Sequence, residues 1–154
     1  PEPEDGRRAD PRTGEERVVG GREFACRPAL VWRALTQPNL IRGWLMETDA
    51  APGRGQRFRL VADWGDVACE LREIEPERRL SYTWNTRDLR SVVTWTLTPT
   101  ASGTRLRMEQ VGFQPEQQAY FRGASAGWPR FLAALDAVVA RLASNPSDET
   151  GETR

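Results

Sequence analysis

The sequence predicts an α+β fold: a curved antiparallel sheet of six or seven strands, two short helices after the first strand, and one long C-terminal helix. Two observations carry this. Between residues 57 and 113 apolar and polar residues alternate in runs separated by turns too short for a crossover helix, so neighbouring strands run antiparallel. Beyond them lies an extended amphipathic stretch, "ASAGWPRFLAALDAVVARL" at 124–142, long enough to cover the apolar face of such a sheet.

The elements follow in order. "RVVGGREFAC" (17–26) reads as the first strand, loosened by Gly20 and Gly21. "PALVWRALT" (28–36) has proline at a favourable first helical position and helical spacing of Leu30, Val31, Ala34 and Leu35. Pro38 restarts a second short helix, "PNLIRGWL". After a turn at 52–57, "FRLVADW" places Phe58, Leu60, Ala62 and Trp64 on one face, and Gly65-Asp66 is expected as the hairpin turn. The return strand presents Val67, Cys69 and Leu71. The next three strands present Leu80, Tyr82 and Trp84, then Val93, Trp95 and Leu97, then Leu106 and Met108. The region "QPEQQAYFRGASAG" loses this alternation and reads as a loose helical turn with Tyr120 and Phe121 inward. The long helix is expected to start near Trp128, with Ser125 or Gly127 as cap and Pro129 in the first turn.

Composition narrows the functional classes. The chain has 154 residues and a formal net charge of zero, and its 22 basic residues are all arginine. The arginines interleave with acidic residues, as in "CELREIEPERRL"; no basic stripe forms and nucleic acid is not expected as a partner. Residues 1–16 and 144–154 are poor in aliphatic side chains and read as disordered tails around a folded unit at 17–143. The initial proline points to a processed or trimmed start. No apolar run reaches membrane-spanning length and no signal-peptide pattern opens the chain, so a cytoplasmic location is the expectation. There is no histidine. That removes the usual neutral-pH base and the commonest metal ligand, and with them Ser-His-Asp and Cys-His catalysis; no metal or other cofactor is expected. Cys26 and Cys69 read as two free thiols, with a disulfide left open.

Several stretches together resemble one superfamily: "REFACRPALVWRALTQPNLIRGWL", the "PGRGQRFRL" turn, "ELREIEPERRLSYTW", "VTWTLTPTASGTRLRMEQVGF" and the closing "GW...L..L". The pattern is similar to the SRPBCC (START-like) superfamily, and within it to the branch named for activators of the heat-shock-protein-90 ATPase. The resemblance covers residues 17–143. It implies the helix-grip fold, a curved sheet wrapped around the C-terminal helix, and a cavity between the two that takes hydrophobic small molecules. It does not fix function, because one fold hosts many.

On that reading the inward-facing large and polar residues are candidate ligand contacts. They are Trp44, Trp64, Cys69, Tyr82, Trp84, Trp95, Met108, Gln110, Phe113, Phe121, Trp128, Phe131, Leu132 and Leu135. For the tryptophans, core packing and a flat aromatic wall are both open. Trp44 is assigned an entrance role and Trp32 a structural one. Tyr82, Gln110 and Cys69 are either polar groups satisfied in the core or anchors that orient an apolar ligand. Gly112-Phe113 is either a bend or a close approach to ligand.

The expected function is binding of a hydrophobic or polyaromatic small molecule by a carrier, sequestering or self-resistance protein of bacterial natural-product metabolism. The alternatives are a polyketide cyclase or aromatase, in which Tyr82 or an inward carboxylate must serve as acid or base, and a co-chaperone-like domain with a protein partner.

Overall fold

The computed structural model describes residues 6–9, 16–48 and 56–144, and for 6–9 the backbone alone. Most of the 52–57 turn, the C-terminal tail beyond Ser144 and much of the N-terminal tail lie outside the described residues.

Among the described residues, eight strands form one antiparallel sheet. In chain order they are β1 (Gly6–Ala9), β2 (Glu16–Phe24), β3 (Glu47–Thr48), β4 (Arg57–Ala62), β5 (Gly65–Glu75), β6 (Arg79–Thr86), β7 (Leu89–Pro99) and β8 (Thr104–Val111). The sheet order is β1-β2-β8-β7-β6-β5-β4-β3. Six of these strands are the predicted ones; β1 and β3 are short additions at the two edges, and β1 lies within the segment expected as a tail. The helices are α1 (Pro28–Thr36), α2 (Pro38–Ile41) and α3 (Gln118–Ala143). This is the predicted α+β helix-grip arrangement.

The alternation read from the sequence becomes rows across the sheet. Leu80, Trp95, Met108 and Gly20 stand side by side on β6, β7, β8 and β2. Tyr82, Val93, Gln110 and Val18 form the next row. α3 lays Phe121, Trp128, Leu132, Leu135, Val138, Val139 and Leu142 against this face, all buried. An ion pair from Arg22 on β2 to Asp136 on α3, at 3.3 Å, ties the helix to the sheet.

Two boundaries differ from expectation. The β4–β5 turn is Asp63-Trp64, with Ala62 paired to Gly65. Gly65 follows the turn at φ 145°, a backbone state that favours glycine. Trp64 therefore sits at a turn tip, half exposed, rather than on an inner strand face.

The second difference is the start of the long helix. It begins at Gln118, ten residues before Trp128, and neither Ser125 nor Gly127 caps it. Pro129 lies inside the helix, where it removes the N–H that would otherwise reach the Ser125 carbonyl. The Ser125 hydroxyl is also buried without a hydrogen-bond partner. Glycine and proline make this half a poor helix on propensity alone, and tertiary contacts hold it. Phe121 packs edge-on against Phe113, with ring centres 5.4 Å apart. Gln117 Nε2 donates to the Asp88 carbonyl at 3.0 Å, and the Tyr120 hydroxyl donates to the Asp88 carboxylate at 2.6 Å.

A prediction follows for this half-helix. A Cβ on Gly123 would meet nothing within 4 Å. Gly123→Ala should therefore raise stability by about 0.5–1 kcal/mol, because glycine loses more backbone freedom in a helix than alanine does. Chemical denaturation checks this; an unchanged or lowered midpoint at constant slope would contradict it.

Candidate functional site

The sheet and α3 do not close completely. At the N-terminal half of α3 a cavity of about 370 Å³ remains, open at one end. Its location follows from topology. The β4–β5 and β6–β7 turns lie at the same end of the meander, and the chain leaving β8 brings the start of α3 to that end. Trp64 contributes from the first turn, Trp84, Thr86, Arg87 and Leu89 from and beside the second, Met46 from the segment before β3, and Gln110 from β8.

The helical wall explains why space exists there. Ala119, Gly123 and Gly127 recur every four residues along one face of α3, with Ala124 beside them, and all four line the cavity. A Cβ on Gly127 would meet only a Phe131 ring carbon, at 3.9 Å. Where the rest of α3 fills the gap with Leu, Val and aromatic side chains, this face presents backbone and methyl groups.

Much of the remaining lining is aromatic. Trp128 has ring centres 5.3 Å from Trp84, 5.7 Å from Trp95 and 5.4 Å from Phe131. Its indole N–H donates to Gln110 Oε1 at 2.7 Å. The other end of that amide donates to the Ser91 hydroxyl at 3.0 Å, which donates to the Trp84 carbonyl at 2.5 Å. Gln110 is buried, and this chain satisfies it and locks the Trp128 rotamer.

Of the residues singled out from the sequence, Trp64, Trp84, Gln110, Trp128 and Phe131 line the cavity. The remaining nine do not. Cys69, Met108, Phe113, Phe121, Leu132 and Leu135 are buried in the core around it. Trp44 is no entrance residue: it is buried, donates to the Ala34 carbonyl at 2.8 Å and packs edge-on against Trp95. Trp95 donates to the Tyr82 hydroxyl at 3.0 Å. Tyr82 is buried too, and that burial, with the Cys69 sulfur beside it, pushes the phenol far above its ordinary value. The acid or base role assigned to Tyr82 under the enzyme alternative has no contact with the cavity. No disulfide joins Cys26 and Cys69. Gly112 is a bend: at φ 120°, a Cβ there would come 2.5 Å from the Arg90 carbonyl oxygen.

The sequence reading missed the residues at the mouth. Arg87 and Tyr120 lie there with Arg130. The hydrogen bond from Tyr120 holds the Asp88 carboxyl below its usual range and pushes the Tyr120 phenol up. The glycine and alanine repeat at 119, 123 and 127 was the available signal, but small residues mark either a gap or a close contact.

A family model described as "Activator of Hsp90 ATPase homolog 1-like protein" matches residues 25–140. The chain belongs to this family. Its structure is similar to that of protein MLL2253 from Mesorhizobium loti, at 50% sequence identity and a TM-score of 0.77, over 81% of this chain and 97% of that one. It is also similar to the solution structure of CalU16 from Micromonospora echinospora, at 27% identity and a TM-score of 0.69, over 90% and 73% of the two chains. DynU16, from the dynemicin biosynthetic locus, shares the fold at 24% identity and a TM-score of 0.73, over 80% of this chain and 47% of that one. No curated protein gives a significant match. Among the described residues no helix of this family member is long and apolar enough to cross a membrane.

Proposed function

We propose that this chain binds a hydrophobic or polyaromatic small molecule in the cavity between the sheet and α3. It acts as a carrier, sequestering or self-resistance protein in the cytoplasm of a bacterium. The observation that carries this reading is the composition of the cavity wall. About 370 Å³ is lined by Trp84 from the sheet and by Gly123, Gly127, Trp128 and Phe131 from α3. Ligand pockets have this size and this predominance of apolar and aromatic lining. Aromatic rings beside side-chain-free glycine positions leave room for an apolar ring system. The natural-product setting is supported by the shared fold with DynU16 and its dynemicin locus.

The test is a thermal-shift and tryptophan-fluorescence screen with polyaromatic and acyl compounds. Trp84 and Trp128 line the space directly, so an occupying ligand should change the emission. At a hundredfold excess over its dissociation constant a ligand should add about 2.7 kcal/mol to stability, a rise of several degrees in Tm. A library that produces neither a shift nor an emission change would overturn the reading.

A further inference from the structure

Some arginines around the fold sit against carboxylates: Arg17 with Glu109, Arg22 with Asp136, Arg59 with Asp66, Arg79 with Glu73 and Arg105 with Glu23. Others do not, such as Arg90, which donates only to the Arg87 and Leu89 carbonyls. The two arginines that line the cavity are of this second kind, and their place at its mouth sets them apart. Arg87 Nη2 makes a long 3.5 Å contact with the Trp64 carbonyl, and Arg130 Nη1 donates to the Ala126 carbonyl of its own helix at 3.2 Å. Neither guanidinium has a carboxylate partner among the described residues, and no lining residue is acidic. The nearby Asp88 carboxylate accepts from the Tyr120 hydroxyl instead.

A second observation concerns the backbone. Arg87 and Asp88 form the two-residue turn between the paired residues Thr86 and Leu89. Arg87 adopts φ 52°. Such turns favour glycine, asparagine or aspartate where φ is positive, and a long side chain there is strained. The turn thus carries an unfavourable residue whose side chain lines the cavity mouth. Strained backbone clusters at ligand clamps, where the surroundings over-determine it.

Building on the binding reading above, we infer that the ligand is amphipathic: an aromatic body in the cavity and one anionic group, a carboxylate, sulfonate or phosphate, held at the mouth between Arg87 and Arg130. A guanidinium presents planar paired donors that match such oxyanions. Both arginines are solvent-exposed, so the charge contributes a modest selectivity on top of apolar burial.

The test uses three probes with one body: anthracene-2-carboxylate, anthracene-2-methanol and anthracene-2-methylamine. Each is titrated against the full chain by tryptophan quenching at low and high salt. The carboxylate should bind about five- to tenfold more tightly than the alcohol at low salt, and the amine most weakly. Arg87→Gly relieves the strained turn and Arg130→Gln lies on an exposed helix position, so both variants should fold. The double variant should lose the carboxylate's advantage over the alcohol. Equal affinity for carboxylate and alcohol in the parent, or an advantage that persists in the double variant, overturns this inference and leaves the binding reading intact. Binding of none of the three overturns the binding reading and this inference with it.

Discussion

Trp128→Ala should cost about 4–8 kcal/mol of stability. The estimate has two parts. Removing a fully buried tryptophan costs about 3–5 kcal/mol through lost transfer energy and the void left behind. Trp128 is 2% exposed and packs against Trp84, Trp95 and Phe131, so three rings lose a neighbour at once. The substitution also strips Gln110 Oε1 of its donor, and a buried acceptor left unpaired costs about 1–3 kcal/mol. The sum is comparable with the total stability of an ordinary domain.

The two parts can be separated. Trp128→Phe keeps an aromatic ring and loses the N–H, so it carries the unpaired-acceptor cost with a smaller void. Adding Gln110→Met replaces that acceptor by an unbranched apolar side chain of similar length, and the double variant should recover stability relative to Trp128→Phe alone. Ser91 keeps its bond to the Trp84 carbonyl throughout. Urea denaturation at constant slope measures all three. A double variant no more stable than Trp128→Phe would show that the Trp128–Gln110 bond carries none of the assigned energy.

Gly127→Leu should abolish binding while the protein stays folded. Beyond the position of an added Cβ the nearest atom is a Phe131 ring carbon at 3.9 Å, and past it lies the cavity. A leucine side chain there occupies the space proposed for the ligand's ring system. The loss should be at least tenfold in affinity, because about 1.4 kcal/mol of apolar burial is a minimum for displaced ring contact. Stability should hold or rise: the helix gains by losing a glycine, and the new carbons fill space beside the Phe131 ring. Titration of any ligand from the thermal screen checks this. Undiminished binding by a folded Gly127→Leu protein would place the ligand elsewhere.

Much of the architecture was legible residue by residue. The alternation of Leu80, Tyr82 and Trp84, of Val93, Trp95 and Leu97, and of Leu106 and Met108 identified the buried face of three neighbouring strands, and the structure sets them in register. A two-residue periodicity is a property of the strand itself and needs no knowledge of the partner. The misplaced elements are those where local and tertiary preferences disagree. Trp64 continues the alternation of β4, yet the chain turns beneath it. The first turns of α3 contain Gly123, Gly127 and a following Pro129, which argue against a helix; Asp88, distant in sequence, and Phe113, just past β8, hold them in one.

Local residue patterns specify one antiparallel sheet with a covering helix and, Trp64 apart, most of the side chains that point between them. Where that interior is solid and where it is hollow depends on how the helix packs on the sheet. Parity and helical spacing assign a residue to a face but carry no information about the distance between two faces. Leu132 and Leu135 fill that distance, while Gly123 and Gly127, on the same helix, leave it open beside Trp84 and Trp128. The same argument holds at the mouth. Arg87 and Arg130 are far apart in sequence and ordinary in this arginine-rich chain, and only the closing of α3 over the β6–β7 turn brings both to one opening.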